Sequence, residues 1–124
     1  MYQILPIIFI AHWFADFVFQ TSWMAENKSS NLQALHCHVS AYSLILLLFL
    51  MNPFYTFWNE ISFEKVIWFV LINGILHGIV DFFTSKISSF FWKTNQIHNF
   101  FVTVGFDQLL HQICLIYTTK MMFC

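Results

Sequence analysis

Four long apolar stretches, roughly residues 4–24, 32–51, 65–85 and 100–121, dominate this chain. Each has about the 20 residues that an α-helix needs to cross the hydrocarbon of a bilayer. Charged residues make up only 9% of the 124 positions, against about 25% in a soluble domain. A soluble helical bundle would therefore lack the polar surface to cover itself. In lipid, every backbone N–H and C=O must be satisfied within the segment, which helices achieve. The expectation is an all-α membrane protein, with a single integral domain over residues 1–124 and four transmembrane helices arranged as two similar helical hairpins. Trp23, Trp58, Trp68, Trp92, Tyr2 and Tyr55 fall near predicted helix ends, where interfacial aromatics concentrate. A short interfacial helix is predicted around residues 88–92, within the last connection.

The N-terminal stretch has no basic residue before it and carries His12 and Asp16 inside it, which argues against a cleaved signal peptide. Cys37, Cys114 and Cys124 are odd in number and lack CxxC spacing, so they read as small apolar groups rather than a disulfide framework or thiolate metal site. A net charge of -1 without a basic run speaks against a nucleic-acid partner and leaves the lipid bilayer as the expected one. Lys28, Lys86 and Lys93 follow the first and third stretches, against Lys65 and Lys120 on the other side. This small excess points the first group toward the cytoplasm of a bacterial inner membrane.

All three aspartates lie inside apolar stretches, each four residues from a histidine: His12/Asp16, His77/Asp81 and Asp107/His111. An ionisable side chain in hydrocarbon costs several kcal/mol, about 3 even on lenient scales, and usually faces a protein interior with a function. Residues four apart lie on one helix face. His12, Asp16 and Gln20 thus form one polar stripe, Asn73, His77 and Asp81 a second, and Thr103, Asp107 and His111 a third. On the second stretch, Gln33, His36, Ser40 and Ser43 share a face. His38 points away from it and reads as an interfacial or packing residue. Gly74 and Gly78 form a small-x-x-x-small pair that allows close helix approach.

Nitrogen and oxygen donors without thiolates suit zinc, manganese or iron. The candidate metal ligands are His12, Asp16, His77, Asp81, Asp107 and His111, with Gln20, His36, Asn73 and Gln108 supporting them. Asp16, Asp81 and Asp107 are the candidate catalytic groups, and Lys28 and Lys86 would attract a phosphate-bearing substrate. The polar residues lie in the later half of stretches one and three and the earlier half of two and four. The site should therefore open toward Lys28 and Lys86.

The halves, about 1–51 and 65–124, resemble each other. His12-x-x-x-Asp16-Phe17 matches His77-x-x-x-Asp81-Phe82. Gln33-x-Leu35-His36 with Tyr42 six residues later matches Gln108-x-Leu110-His111 with Tyr117. Duplication of a two-helix unit would place the site between the halves.

The opening motif, His12-x-x-x-Asp16-Phe17-x-x-Gln20-Thr21 followed by Trp23-Met24-Ala25-x-Asn27-Lys28, resembles a family of small bacterial and phage membrane proteins known as domain of unknown function 3307. His36, His77-x-x-x-Asp81 with Lys86, and Asp107-Gln108-x-x-His111 continue the resemblance across nearly the whole chain. The resemblance implies an integral membrane protein with these polar residues as its signature, and brings no activity. The residues themselves favour a metal-dependent hydrolase acting on a membrane-associated substrate. The alternative is a proton or cation channel or transporter, which at this length would call for a homo-oligomer. A purely structural role for the His–Asp pairs is a third reading. The absence of arginine removes the usual bidentate phosphate clamp and leaves lysine to serve.

Overall fold

The computed structural model describes residues 4–52 and 61–123. Tyr2, Tyr55, Trp58 and Cys124 lie outside the described residues, so the expectations placed on them go no further. The described residues are helical and contain no strand: α1 (Leu5–Trp13) continuing into a π-turn (Phe14–Val18), α2 (Ser22–Asn27), α3 (Leu32–Leu50), α4 (Phe63–Lys93) and α5 (Ile97–Phe123). Three helices, α3 to α5, are long and apolar enough to cross a membrane, not the four that were expected.

The first stretch falls short because its helix ends early. At Phe14–Val18 the backbone widens, and the amide of Phe19 bonds the Phe14 carbonyl five residues back. Thr21 then adopts extended geometry, and its hydroxyl accepts from the Met24 amide at 3.2 Å, starting α2 as a new helix. Hydroxyl N-caps of this kind compete well with helix continuation. Asp16 sits inside the widened turn and is buried there, in line with the tendency of π-bulges to mark functional positions.

The other boundaries have similar local causes. Asn31 Oδ1 accepts from the Gln33 and Ala34 amides and caps α3. Ser62 Oγ accepts from the Lys65 amide and caps α4. Instead of stopping near residue 85, α4 runs to Lys93 and absorbs the predicted interfacial helix at 88–92. Its 31 residues would span about 46 Å at 1.5 Å each, beyond the ~30 Å of hydrocarbon, so Ser88 to Lys93 can project past it. Asn95, at a φ of 58°, closes the α4–α5 turn. The Gln96 amide bonds the Phe91 carbonyl and that of Asn95 bonds Trp92, a Schellman closure in which Asn tolerates the left-handed conformation.

Antiparallel packing follows. On α4 and α5, Thr84 pairs with Asp107 and Asn73 with Thr118. On α3 and α4, Gly78 and Gly74 bring the backbone up to Val39 and Ser43; a Cβ on Gly78 would come to 3.2 Å from Val39 Cγ2. The stiff β-branched valine cannot easily turn aside, so the expected small-residue contact is present. Ile4, Ile8, Leu46, Leu50, Val66, Phe69 and Leu115 fill an apolar core at the end away from Lys28. Outward, Leu44, Leu48, Ile75, Ile79, Phe83, Phe101 and Phe106 are each at least half exposed. Such a continuous apolar surface would be a liability in water and is natural against lipid chains. Cys37 and Cys114 are free.

Candidate functional site

The buried polar residues converge where α1, α3, α4 and α5 meet. His12 and the π-turn's Asp16 come from the first element, His38 and Tyr42 from α3, His77 and Asp81 from α4, and Asp107, Gln108 and His111 from α5. At the centre, His38 Nε2 lies 3.0 Å from His77 Nε2, 3.1 Å from Asp16 Oδ1 and 3.1 Å from Asp81 Oδ2. His77 Nε2 lies 3.5 Å from the same Asp16 oxygen and 3.6 Å from the same Asp81 oxygen. These four residues are fully buried, and their donor atoms all lie within 4.8 Å of one another. Zinc bonds of 2.0–2.1 Å in a tetrahedron imply donor–donor edges of about 3.3–3.4 Å, and the five edges that involve a histidine, 3.0 to 3.6 Å, bracket that value.

Ring stacking fixes the imidazoles. His77 stacks on Tyr42 at 3.9 Å between centroids and 4° between planes, and on His111 at 4.3 Å. Among the described residues, the Nδ1 atoms of His38 and His77 have no hydrogen-bond partner. Both rings therefore meet the polar cluster through Nε2.

A second layer surrounds this centre. His111 Nε2 lies 3.2 Å from Asp81 Oδ1 and 3.3 Å from Asp107 Oδ1. The Gln108 amide donates to Asp16 Oδ2 at 2.8 Å and to Asp107 Oδ2 at 3.1 Å, while its oxygen accepts from His12 Nε2 at 3.1 Å. His12 Nδ1 then accepts from the Tyr42 hydroxyl. The Thr84 hydroxyl donates to Asp107. Asp16, Asp107 and His111 form a further set of potential ligands that shares Asp16 with the first.

Lys28 Nζ reaches Asp81 Oδ2 at 2.8 Å, with its side chain only 17% exposed. Burial opposes its charge, yet the carboxylates of Asp81 and Asp16 outweigh that and hold its pKa above the ordinary lysine value. It is a fixed cation in the site, deeper than the surface role expected of it. A cavity of about 200 Å³ opens beside it, walled by Asp16, Asp81 and Asp107 and by Gln20, Ser85 and Thr103. Ser85 and Gln20 line this space, and Ser85 Oγ and Gln20 Oε1 have no hydrogen-bond partner among the described residues. The cavity lies at the Lys28 end of the helices, as the depth of the polar residues predicted.

Several expectations are corrected. His36 is exposed, whereas His38 is fully buried at the centre. The face of α3 turned inward carries Ala34, His38, Tyr42 and Leu46, so the Gln33/His36/Ser40/Ser43 stripe is not the site face. Ser40 bonds the His36 carbonyl of its own helix and needs no partner elsewhere. In consequence the second motif of the duplicated pattern does not keep its surroundings: His111 is buried and His36 exposed, Tyr42 buried and Tyr117 72% exposed. The first motif does, because His12, Asp16, His77 and Asp81 are all buried. Asn73 is also displaced from its expected supporting role, paired one turn away with Thr118 and the Phe69 carbonyl.

A bundle of apolar helices around a buried His/Asp cluster with a fixed lysine is the class of protein defined here. Over residues 4–124 the chain matches the family described as protein of unknown function (DUF3307), and it belongs to that family. No curated protein and no solved structure matches it.

Proposed function

We propose that this protein is a membrane-embedded hydrolase dependent on a divalent metal, which Asp16, His38, His77 and Asp81 would hold. The observation that supports this reading is the close convergence of two imidazole nitrogens and two carboxylate oxygens, with His–His and His–Asp spacings of 3.0 to 3.6 Å. Charge gives a second argument. Three carboxylates and one ammonium leave two negative charges inside an apolar bundle, and one divalent cation cancels them. Zinc fits the donor set best; manganese or iron would ask for added oxygen ligands. When bound, such an ion polarises an ester and makes a neighbouring water more acidic.

The chain's own residues supply the remaining chemistry. Asp107, the most exposed of the three carboxylates at 15% of its side chain, stands at the cavity wall and accepts the proton of an attacking water. The water oxygen bonds to the electrophilic centre, the ester bond breaks, and the departing alkoxide takes the proton that Asp107 received, while His111 at 3.3 Å orients the Asp107 carboxyl. Gln108 locks the orientation of Asp16 and Asp107. His12 belongs with this supporting group, since it meets the carboxylates mainly through Gln108. By the lysine distribution, the cavity faces the cytoplasm of a bacterial inner membrane.

Two protonated imidazoles would also cancel the excess charge, and this favours proton or cation passage as a second reading. Beyond the Asn73–Thr118 pair, however, the axis is filled by Ile8, Leu46, Val66 and Phe69. That dry plug suits a pocket closed at one end better than a conduit.

The test is hydrolysis of phosphate-ester and carboxylic-ester lipids by the detergent-purified protein. Release of product should stop on chelation and return with zinc. Asp107→Asn should lower kcat about 100-fold or more. Lack of hydrolysis in the metal-loaded protein, together with Asp16-dependent proton flux in liposomes, would favour the second reading.

A further inference from the structure

Two more hollows adjoin the site. One, of about 230 Å³, is walled by Lys28, Ser29, Ser30, Asn31, Leu32, Phe82 and Lys86 at the start of α3. The other, of about 450 Å³, is an almost wholly apolar trough between α3 and α4. Gly74 and Gly78 form its floor, and Val39, Ile75, Ile79 and Phe83 its sides. The hollows adjoin, since Leu32 and Phe82 line both. Lys28 in turn lines both the polar hollow and the cavity that holds Asp16, Asp81 and Asp107. An apolar trough between α3 and α4 thus borders a hollow with a pair of lysines, which in turn borders the carboxylate cavity.

The charges are poised for an anion. Among the described residues Lys86 has no carboxylate partner. Its ammonium rests 3.3 Å from the centre of the Phe82 ring, a modest cation–π contact that an anionic oxygen would outcompete. Lys28, Lys86, Ser29 and Ser30 line one small space. Within it a phosphate would meet the Lys86 ammonium and that of Lys28, which also holds Asp81, while a chain attached to it could lie in the adjoining trough.

We infer that the ligand of this site is a phosphate-bearing membrane lipid, its phosphate between Lys28 and Lys86 and one hydrocarbon chain in the Gly74–Gly78 trough. A soluble nucleotide or free phosphate would use the lysines and leave the trough unused. As the substrate class of the proposed hydrolase, this inference rests on the hydrolytic reading, but binding can be measured without turnover.

The experiment uses chelator-stripped protein in detergent and dioleoyl phosphatidic acid as probe, with binding read by native mass spectrometry. Dioleoylglycerol, inorganic phosphate and adenosine monophosphate serve as comparisons. Phosphatidic acid should bind at least about tenfold tighter than any of the three, since one tenfold step is the smallest clear difference in affinity. Lys86→Gln should weaken it about fivefold, the usual contribution of one lysine near an anionic lipid. Ile79→Trp, on an exposed face and therefore harmless to packing, should obstruct the trough and weaken the lipid without changing phosphate binding. Equal affinity for phosphatidic acid and inorganic phosphate, or unaltered lipid binding by Lys86→Gln, would overturn the inference. Metal content measured before stripping separates the two claims. Bound metal with failed lipid selectivity rejects the lipid alone, and selective lipid binding by a protein that never holds metal rejects the hydrolase alone.

Discussion

His38→Ala is expected to abolish stoichiometric metal binding, while His36→Ala leaves it at the wild-type level. The two histidines are two residues apart on α3, yet His38 Nε2 touches three of the proposed donor atoms and His36 faces outward. Loss of a direct ligand should cost at least the 10–100-fold in affinity that changes behind a ligand typically cost. Elemental analysis of both variants, each monodisperse by size exclusion, checks this. Equal metal content in the two would remove His38 from the site.

The second large effect is on stability. Asp81→Ala leaves the buried Lys28 ammonium without its 2.8 Å partner and takes a carboxylate from His38 and His111. Removing one member of a buried ion pair typically costs about 3–5 kcal/mol, because the other charge stays behind unpaired. In detergent, the thermal midpoint of Asp81→Ala should therefore fall well below that of wild type. Adding Lys28→Met should recover part of the loss, although Lys28→Met alone lowers the midpoint. Such non-additivity identifies direct coupling. Simple addition of the two effects would show that the pair does not contribute as a pair.

Much of this arrangement was legible from residue spacing. Carboxylates in apolar stretches had to face inward, and the i, i+4 rule placed each beside its histidine. Their depth along the stretches pointed the cavity toward Lys28. His38 was missed for a physical reason. Its neighbours four residues away are Ala34 and Tyr42, so its stripe shows one polar group, whereas the opposite face shows Gln33, His36, Ser40 and Ser43. Polarity counts favoured the latter, but a serine that bonds its own helix needs no buried partner. The aromatic Tyr42, four residues beyond His38, was the available signal, because it lies on the same helix face and its ring stacks on His77 of the site.

The length of the first helix was hidden for a different reason. Hydropathy cannot register a π-turn, since Phe14–Val18 is as apolar as the turns before it. Only Thr21, a good N-cap inside a supposed span, hinted at the break. The lysines show a third limit. Composition placed Lys28 and Lys86 on the same side, but only packing distinguishes Lys28, inside the carboxylate cluster, from Lys86 at its approach.

The central claim, a cation held by two imidazoles and two carboxylates, is tested most directly by X-ray absorption at the metal edge of the zinc-loaded wild-type protein. Four nitrogen and oxygen neighbours are expected at about 2.0–2.1 Å, with the outer-ring scattering of two histidines and no sulfur near about 2.3 Å. A shell of water oxygens without imidazole scattering, or a sulfur shell, would contradict it.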